Sequence, residues 1–204
     1  MSTKQAMITE IESDTERSDT TAIGLKIDAA IRFYQPKRFW FNESRDVTFN
    51  TVASTASYSY ADIGTEFYKL DGVFLTNGSS VIELDRVNYT ALETADTSTG
   101  VPSCYAYINR ALRIANSPDD AYEVRLTGHI KIEGPAAVGD ADNEWFTEAY
   151  DLIMAHAKAE LYAHRWEDPG NASIQQIIAA GELRRLQGAT HDNVALGYLE
   201  ASDF

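Results

Sequence analysis

The apolar residues of this chain change their spacing twice, and that double change limits its folds more than any single motif does. Up to Tyr34 they recur every three or four residues, from Val47 they alternate, and after Gly134-Pro135 the helical spacing returns. Helices at both ends around one block of strands predict an α+β fold, not a wound sheet in which helices and strands alternate throughout.

The N-terminal part reads as two helices. Residues 5–16 carry Met7, Ile8 and Ile11 among acids, and Asp19-Thr20-Thr21 caps a second helix with Ile23, Ile27, Ile31 and Tyr34 on one face. Pro36 ends it. In the middle, Val47, Phe49 and Thr51 alternate, and Asn77-Gly78 between Val73-Phe74-Leu75 and Val81-Ile82-Glu83-Leu84 predicts a hairpin. Tyr122, Val124, Leu126, Ile130 and Ile132 face one way, and Glu123, Arg125, Thr127, His129, Lys131 and Glu133 the other, as in an antiparallel strand with one wet face. Leu112 and Ile114 form a shorter strand joined to it by a turn at Ser117-Pro118-Asp119-Asp120.

Near the C-terminus, Asp142-Asn143-Glu144 opens a third helix with Phe146, Ala149, Ile153, Ala157 and Leu161, expected to run to about Arg165. Asp168-Pro169-Gly170 breaks the chain, and a last helix carrying Ile174, Ile177, Ile178 and Leu186 is expected to stop at Gly188. The expected organisation is one domain, 1–188. Its helical bundle has two N-terminal and two C-terminal helices (5–35 and 143–187), with an antiparallel β-rich insertion at 45–134 and a tail at 189–204.

Charge and composition narrow the function. Thirty-one acids against seventeen bases give a net charge of -14. Such a chain lacks the clustered Lys and Arg with which a protein grips duplex DNA. Cys104 is the lone cysteine, which excludes an intrachain disulfide and a thiolate zinc site and fits a reducing compartment. The opening residues contain no signal-peptide core and no apolar run reaches the ~20 residues of a membrane span. Asn42, Asn77, Asn88 and Asn171 stand in glycosylation sequons without a route to the glycosylating compartment.

No residue pattern points to catalysis, a cofactor or a metal. The chain has neither a Gly-rich phosphate loop nor Gly-x-Ser-x-Gly. His156, Glu160 and His164 share one face of the third helix, but two histidines eight residues apart lie roughly 12 Å apart along a straight helix and cannot bind one metal. They read as a polar strip or a subunit contact. Asp140, Asp142, Glu144 and Glu148 are acids at a helix start, where the dipole already accounts for them, and no calcium-loop spacing surrounds them.

Two segments read as partner-binding. Phe39, Trp40 and Phe41 are consecutive and cannot all point inward on a regular element, so at least one ring is expected to meet a partner or a neighbouring segment. The tail after Gly188 has no period yet holds Val194, Leu196, Tyr198, Leu199 and Phe204, apolar anchors that gain nothing in water.

The order of these features resembles that of the head-to-tail adaptor (connector) proteins of tailed bacteriophages, the group that includes tail tubular protein A. The resemblance is carried by Asp28-Ala29-Ala30-Ile31-Arg32-Phe33-Tyr34 followed by Phe39-Trp40-Phe41-Asn42-Glu43, by Gly100-Val101-Pro102-Ser103-Cys104-Tyr105 with Leu112-Arg113-Ile114 and Ser117-Pro118-Asp119, and by Asn143-Glu144-Trp145-Phe146 leading into Tyr150-Asp151-Leu152-Ile153. Ala115-Asn116 departs from the pattern, where a second proline is expected. The resemblance implies a non-enzymatic virion subunit in the neck, assembled in the host cytoplasm. It implies a twelve-fold ring beneath the portal protein, with a tail segment inserted between portal subunits and a platform for other tail or neck proteins. Genomic DNA would pass through its channel without specific binding. The alternatives are a monomeric β-sandwich binding carbohydrate or protein, and a hydrolase using acidic residues; native mass separates the first from a ring.

Overall fold

The computed structural model describes residues 3–93, 98–135 and 143–196. Chain order begins with α1 (Lys4–Thr15), α2 (Thr20–Tyr34), β1 (Glu43–Asn50), β2 (Ser57–Ser59), α3 (Tyr60–Ile63), β3 (Phe67–Asn77), β4 (Ser80–Glu83) and β5 (Asp85–Arg86). It continues with α4 (Tyr89–Glu93), β6 (Cys104–Ile108), β7 (Ala111–Ala115), β8 (Glu123–Ile130), α5 (Glu144–Thr147), α6 (Tyr150–His164) and α7 (Pro169–Leu196). The fold is α+β and falls into two compact units: Met1–Phe41 with Ile132–Phe204, and Asn42–Lys131. The helical unit is thus assembled from both ends of the chain.

In the helical unit the caps form where the sequence places them. The Asp19 carboxylate accepts the Ala22 N–H at 3.3 Å at the start of α2, and Asp168 accepts that of Asn171 at 3.0 Å at the start of α7, where Pro169 needs no N–H partner. The Asn171 side-chain amide also donates to Asp168, at 2.6 Å, and the backbone and side-chain bonds from Asn171 hold the Asp168 carboxyl below its usual range. Met7, Ile11, Ile27, Ile31, Leu152 and Leu161 meet in one core. α6 packs along both α2 and α7, and Leu152, Ile153, Ala155, Ala157, Lys158, Ala159 and Leu161 bury it on all sides.

Two expectations for this unit are corrected. The third helix is two helices, α5 and α6, broken at Glu148-Ala149, where Ala149 supplies no side-chain cap. Trp145 and Phe146 are both fully buried, whereas on one uninterrupted helix adjacent side chains diverge by about 100°. The last helix does not stop at Gly188. It runs on to Leu196, because Gly188 does not take the left-handed conformation of a helix stop and the Thr190 hydroxyl donates to the Leu186 carbonyl at 2.8 Å across it. The helix α7 packs through Ala172, Ala179, Leu183 and Leu186, so Ile174, Ile177 and Ile178 face outward.

The β unit holds two four-stranded sheets, in the orders β1-β8-β3-β4 and β2-β7-β6-β5. Phe67, Leu70, Val73, Val124 and Leu126 of the first share a core with Tyr58, Tyr105, Leu112 and Ile114 of the second. The turn after Ile114 therefore leads from one sheet to the other. The pairs are antiparallel except β5 with β6, which is parallel. Asn77 and Ser80 pair, so the hairpin loop is Gly78-Ser79, one residue later than the Asn-Gly signal suggests, with Gly78 at φ 61° in the first loop position.

Alternation along β8 fails at His129, expected on the wet face but buried, its ring 5.2 Å from that of Tyr68. The pairing of β3 with β8 shifts register between Phe67 and Lys69 and between Leu70 and Gly72, and such irregularities turn side chains to the other face. Gly128 permits this close passage: a Cβ there would stand 2.3 Å from the Lys69 carbonyl oxygen.

Candidate interaction surfaces

Trp40 and Phe41 of the aromatic run sit on a one-turn 3-10 helix, Trp40–Asn42, and Phe39 directly precedes it. That turn sends alternate rings in opposite directions. Phe39 and Phe41 are buried and stacked, with centroids 5.3 Å apart and planes 6° from parallel. Trp145 meets both edge-on, at 6.1 and 5.3 Å, and its indole N–H donates to the Ile132 carbonyl at 3.1 Å. Phe39 and Phe41 are therefore core residues, which corrects their assignment as partner contacts. Trp40 alone is exposed, at 37%. Its backbone N–H donates to the Thr190 hydroxyl at 3.1 Å, which sets it beside the last turns of α7. Val194 and Leu196 belong to those turns; Tyr198, Leu199 and Phe204 lie outside the described residues, as do Asp140 and Asp142 of the acidic patch.

The polar strip of α6 joins helices. His156 Nδ1 lies 3.0 Å from the Tyr34 hydroxyl and its ring 5.0 Å from that of Phe33. Burial pushes the His156 pKa down, against the pull of the Glu160 carboxylate and with a smaller push from Lys26. Glu160 receives Lys26 of α2 at 3.2 Å and has His164 Nε2 at 3.7 Å. On the α1 side, the buried Lys158 reaches Asp14 at 2.5 Å, and the Tyr150 hydroxyl donates to Glu10 at 2.7 Å; burial first, and then this bond, raise the Tyr150 pKa. Among the described residues, no group of three or more His, Cys, Asp or Glu is arranged to hold a metal ion.

The β unit carries an open cleft of about 520 Å³ lined by Ser54, Thr55, Tyr89, Ile108, Ala111 and Arg113. The Arg113 guanidinium lies over the Tyr89 ring at 5.3 Å. One of its nitrogens donates to the Tyr89 hydroxyl at 2.6 Å and to the Glu93 carboxylate. The cleft's cation is thus already committed to its own wall.

Sequence reasoning missed the apolar surface of the helical unit. Ile177 is 73% exposed, with Ile174 and Ile178 beside it on α7; on α2, Leu25 is 61% and Phe33 58% exposed. A signal was present: residues 169–181 contain no charged side chain in a chain that is 24% charged. No helix among the described residues is long and apolar enough to cross a membrane.

The family model described as SU10 adaptor protein matches residues 2–196, a range that takes in both units. No curated protein matches the chain.

Proposed function

The chain belongs to the SU10 adaptor protein family, and on that premise we propose that it forms a ring of twelve copies beneath the portal of a tailed phage, continuing the DNA channel. Membership makes it a phage adaptor, a structural component of the virion that interacts with other phage head and tail proteins, and the reading gives it no catalytic role. The observation that carries the fuller reading is the extent of the match, which runs through helical and β units alike. The β unit is then one part of an adaptor chain and not an independent carbohydrate- or protein-binding module.

Surface chemistry supports this reading. Each copy brings a charge of -14, and a channel wall of that sign repels phosphates, so DNA slides past without sticking. The portal contact is assigned to the C-terminal segment, where Val194, Leu196, Tyr198, Leu199 and Phe204 supply apolar anchors. Trp40, tied to Thr190, extends the same contact region. Ordering such a segment costs about 1 kcal/mol per residue and is offset by burying its anchors at about 25 cal/mol per Å². The end of α7 offers a continuous helical mount for it.

The test is reconstitution with purified portal rings, read by native mass. Twelve copies per portal are expected for the intact chain, and loss of attachment with a retained fold for a chain cut after Asn193, which removes all five anchors. A chain that binds portal as a single copy, or not at all, would overturn the ring. Full attachment of the truncated chain would move the contact onto the folded body.

A further inference from the structure

The two exposed apolar stripes of the helical unit lie on different helices, and α6 packs along both without α2 and α7 forming an extensive contact of their own. On α7 the stripe is Ile174, Ile177, Ile178 and Gly181, at the spacing of one helix face. On α2 it is Leu25, Ala29 and Phe33, again one face. Their lengths agree: the seven steps from Ile174 to Gly181 rise about 10 Å and the eight from Leu25 to Phe33 about 12 Å.

We propose that the α7 stripe of one copy docks on the α2 stripe of the next copy. Charge argues for a second copy as the occupant. Two chains of net charge -14 repel at most approaches, and they meet at least cost where charge is absent or already neutralised. The α7 stripe lies in the uncharged stretch 169–181. Beside the α2 stripe, the Lys26 and Asp28 charges are engaged within the same unit, by Glu160 at 3.2 Å and Lys4 at 2.6 Å, and the exposed Arg32 on that face has the sign opposite to the net charge of an approaching copy. Depletion of charge around large apolar side chains is the composition of an interface core. Phe33 stands out as the largest knob, and a Cβ built at Gly181 meets nothing within 4 Å, which leaves room for a ring at that end of α7.

A contact between two different patches on the same molecule is heterologous. Repeated, it closes into a ring or grows into a filament, whereas a self-complementary patch stops at a dimer. The inference rests on the ring reading above and names the face that would close the ring.

The test uses the full chain with Cys104→Ser, so that introduced cysteines are the only thiols. Chains with Ile177→Cys mixed with chains carrying Phe33→Cys are expected to crosslink on mild oxidation, and a chain with both to give a ladder. Ile177→Asp and Leu25→Asp, both at exposed positions, are expected to keep the melting temperature while raising the half-association concentration about tenfold or more in sedimentation. Oligomers that survive both Asp variants, or Ile177→Cys chains that crosslink only to themselves, overturn this face and leave the ring standing. A wild-type chain that stays monomeric, alone and with portal, overturns both.

Discussion

Phe39 and Phe41 stack at 5.3 Å against the edge of Trp145, while Trp40 between them reaches solvent. One residue of displacement along a 3-10 turn therefore separates a core role from a surface role. Phe39→Ala should cost about 3–5 kcal/mol, as emptied buried aromatic sites do. Trp40→Ala should cost less than half of that and instead weaken attachment to the portal. Urea unfolding of both variants checks the ordering, and equal losses would contradict it.

Gly188 lies inside α7 with nothing within 4 Å of the place a Cβ would take. Gly188→Ala should stabilise the protein by about 0.5–1 kcal/mol, because alanine loses less backbone entropy in a helix. At a left-handed helix stop the same change would destabilise. Melting temperature with far-ultraviolet circular dichroism distinguishes the two.

His156 has a pKa lowered by burial from its usual 6.5. The groups facing it are Tyr34 and Lys26 from α2 and Glu160 from its own helix. As pH falls through 6.5 the unfolded chain takes up a proton that the folded chain refuses, so His156 contributes a loss of stability on the acid side and none above. His156→Gln should therefore flatten the difference in urea midpoint between pH 8 and pH 5. An identical difference in wild type and variant would remove His156 from the acid response.

Gly128→Ala places a Cβ against the Lys69 carbonyl oxygen and within 3.0 Å of Leu70 Cα. Backbone atoms cannot move aside as a flexible side chain would, so the β3–β8 pairing must shift, with an expected loss of about 3 kcal/mol or more. Gly100→Ala meets nothing within 4 Å and should change stability by less than about 0.5 kcal/mol. Paired denaturation curves give the comparison.

Local signals carried the elements whose cause is local. The Asp19 cap, the 3.6-residue spacing of Ile23, Ile27 and Ile31, and the hairpin near Gly78 act within a few residues, and each is legible in the chain. The charge of -14 and the lack of catalytic patterning likewise belong to the sequence itself. What lies opposite a side chain is decided by residues far away. Only tertiary packing selected Ala179 and Leu186 of α7 for the core and left Ile174 and Ile177 outside, since a helix with apolar residues on several faces does not state which face its neighbour covers. The same holds for His129, whose burial follows from the register shifts of β3 against β8, and for Gly188, which stays helical with the Thr190 hydroxyl bonded to the Leu186 carbonyl across it and against its own preference.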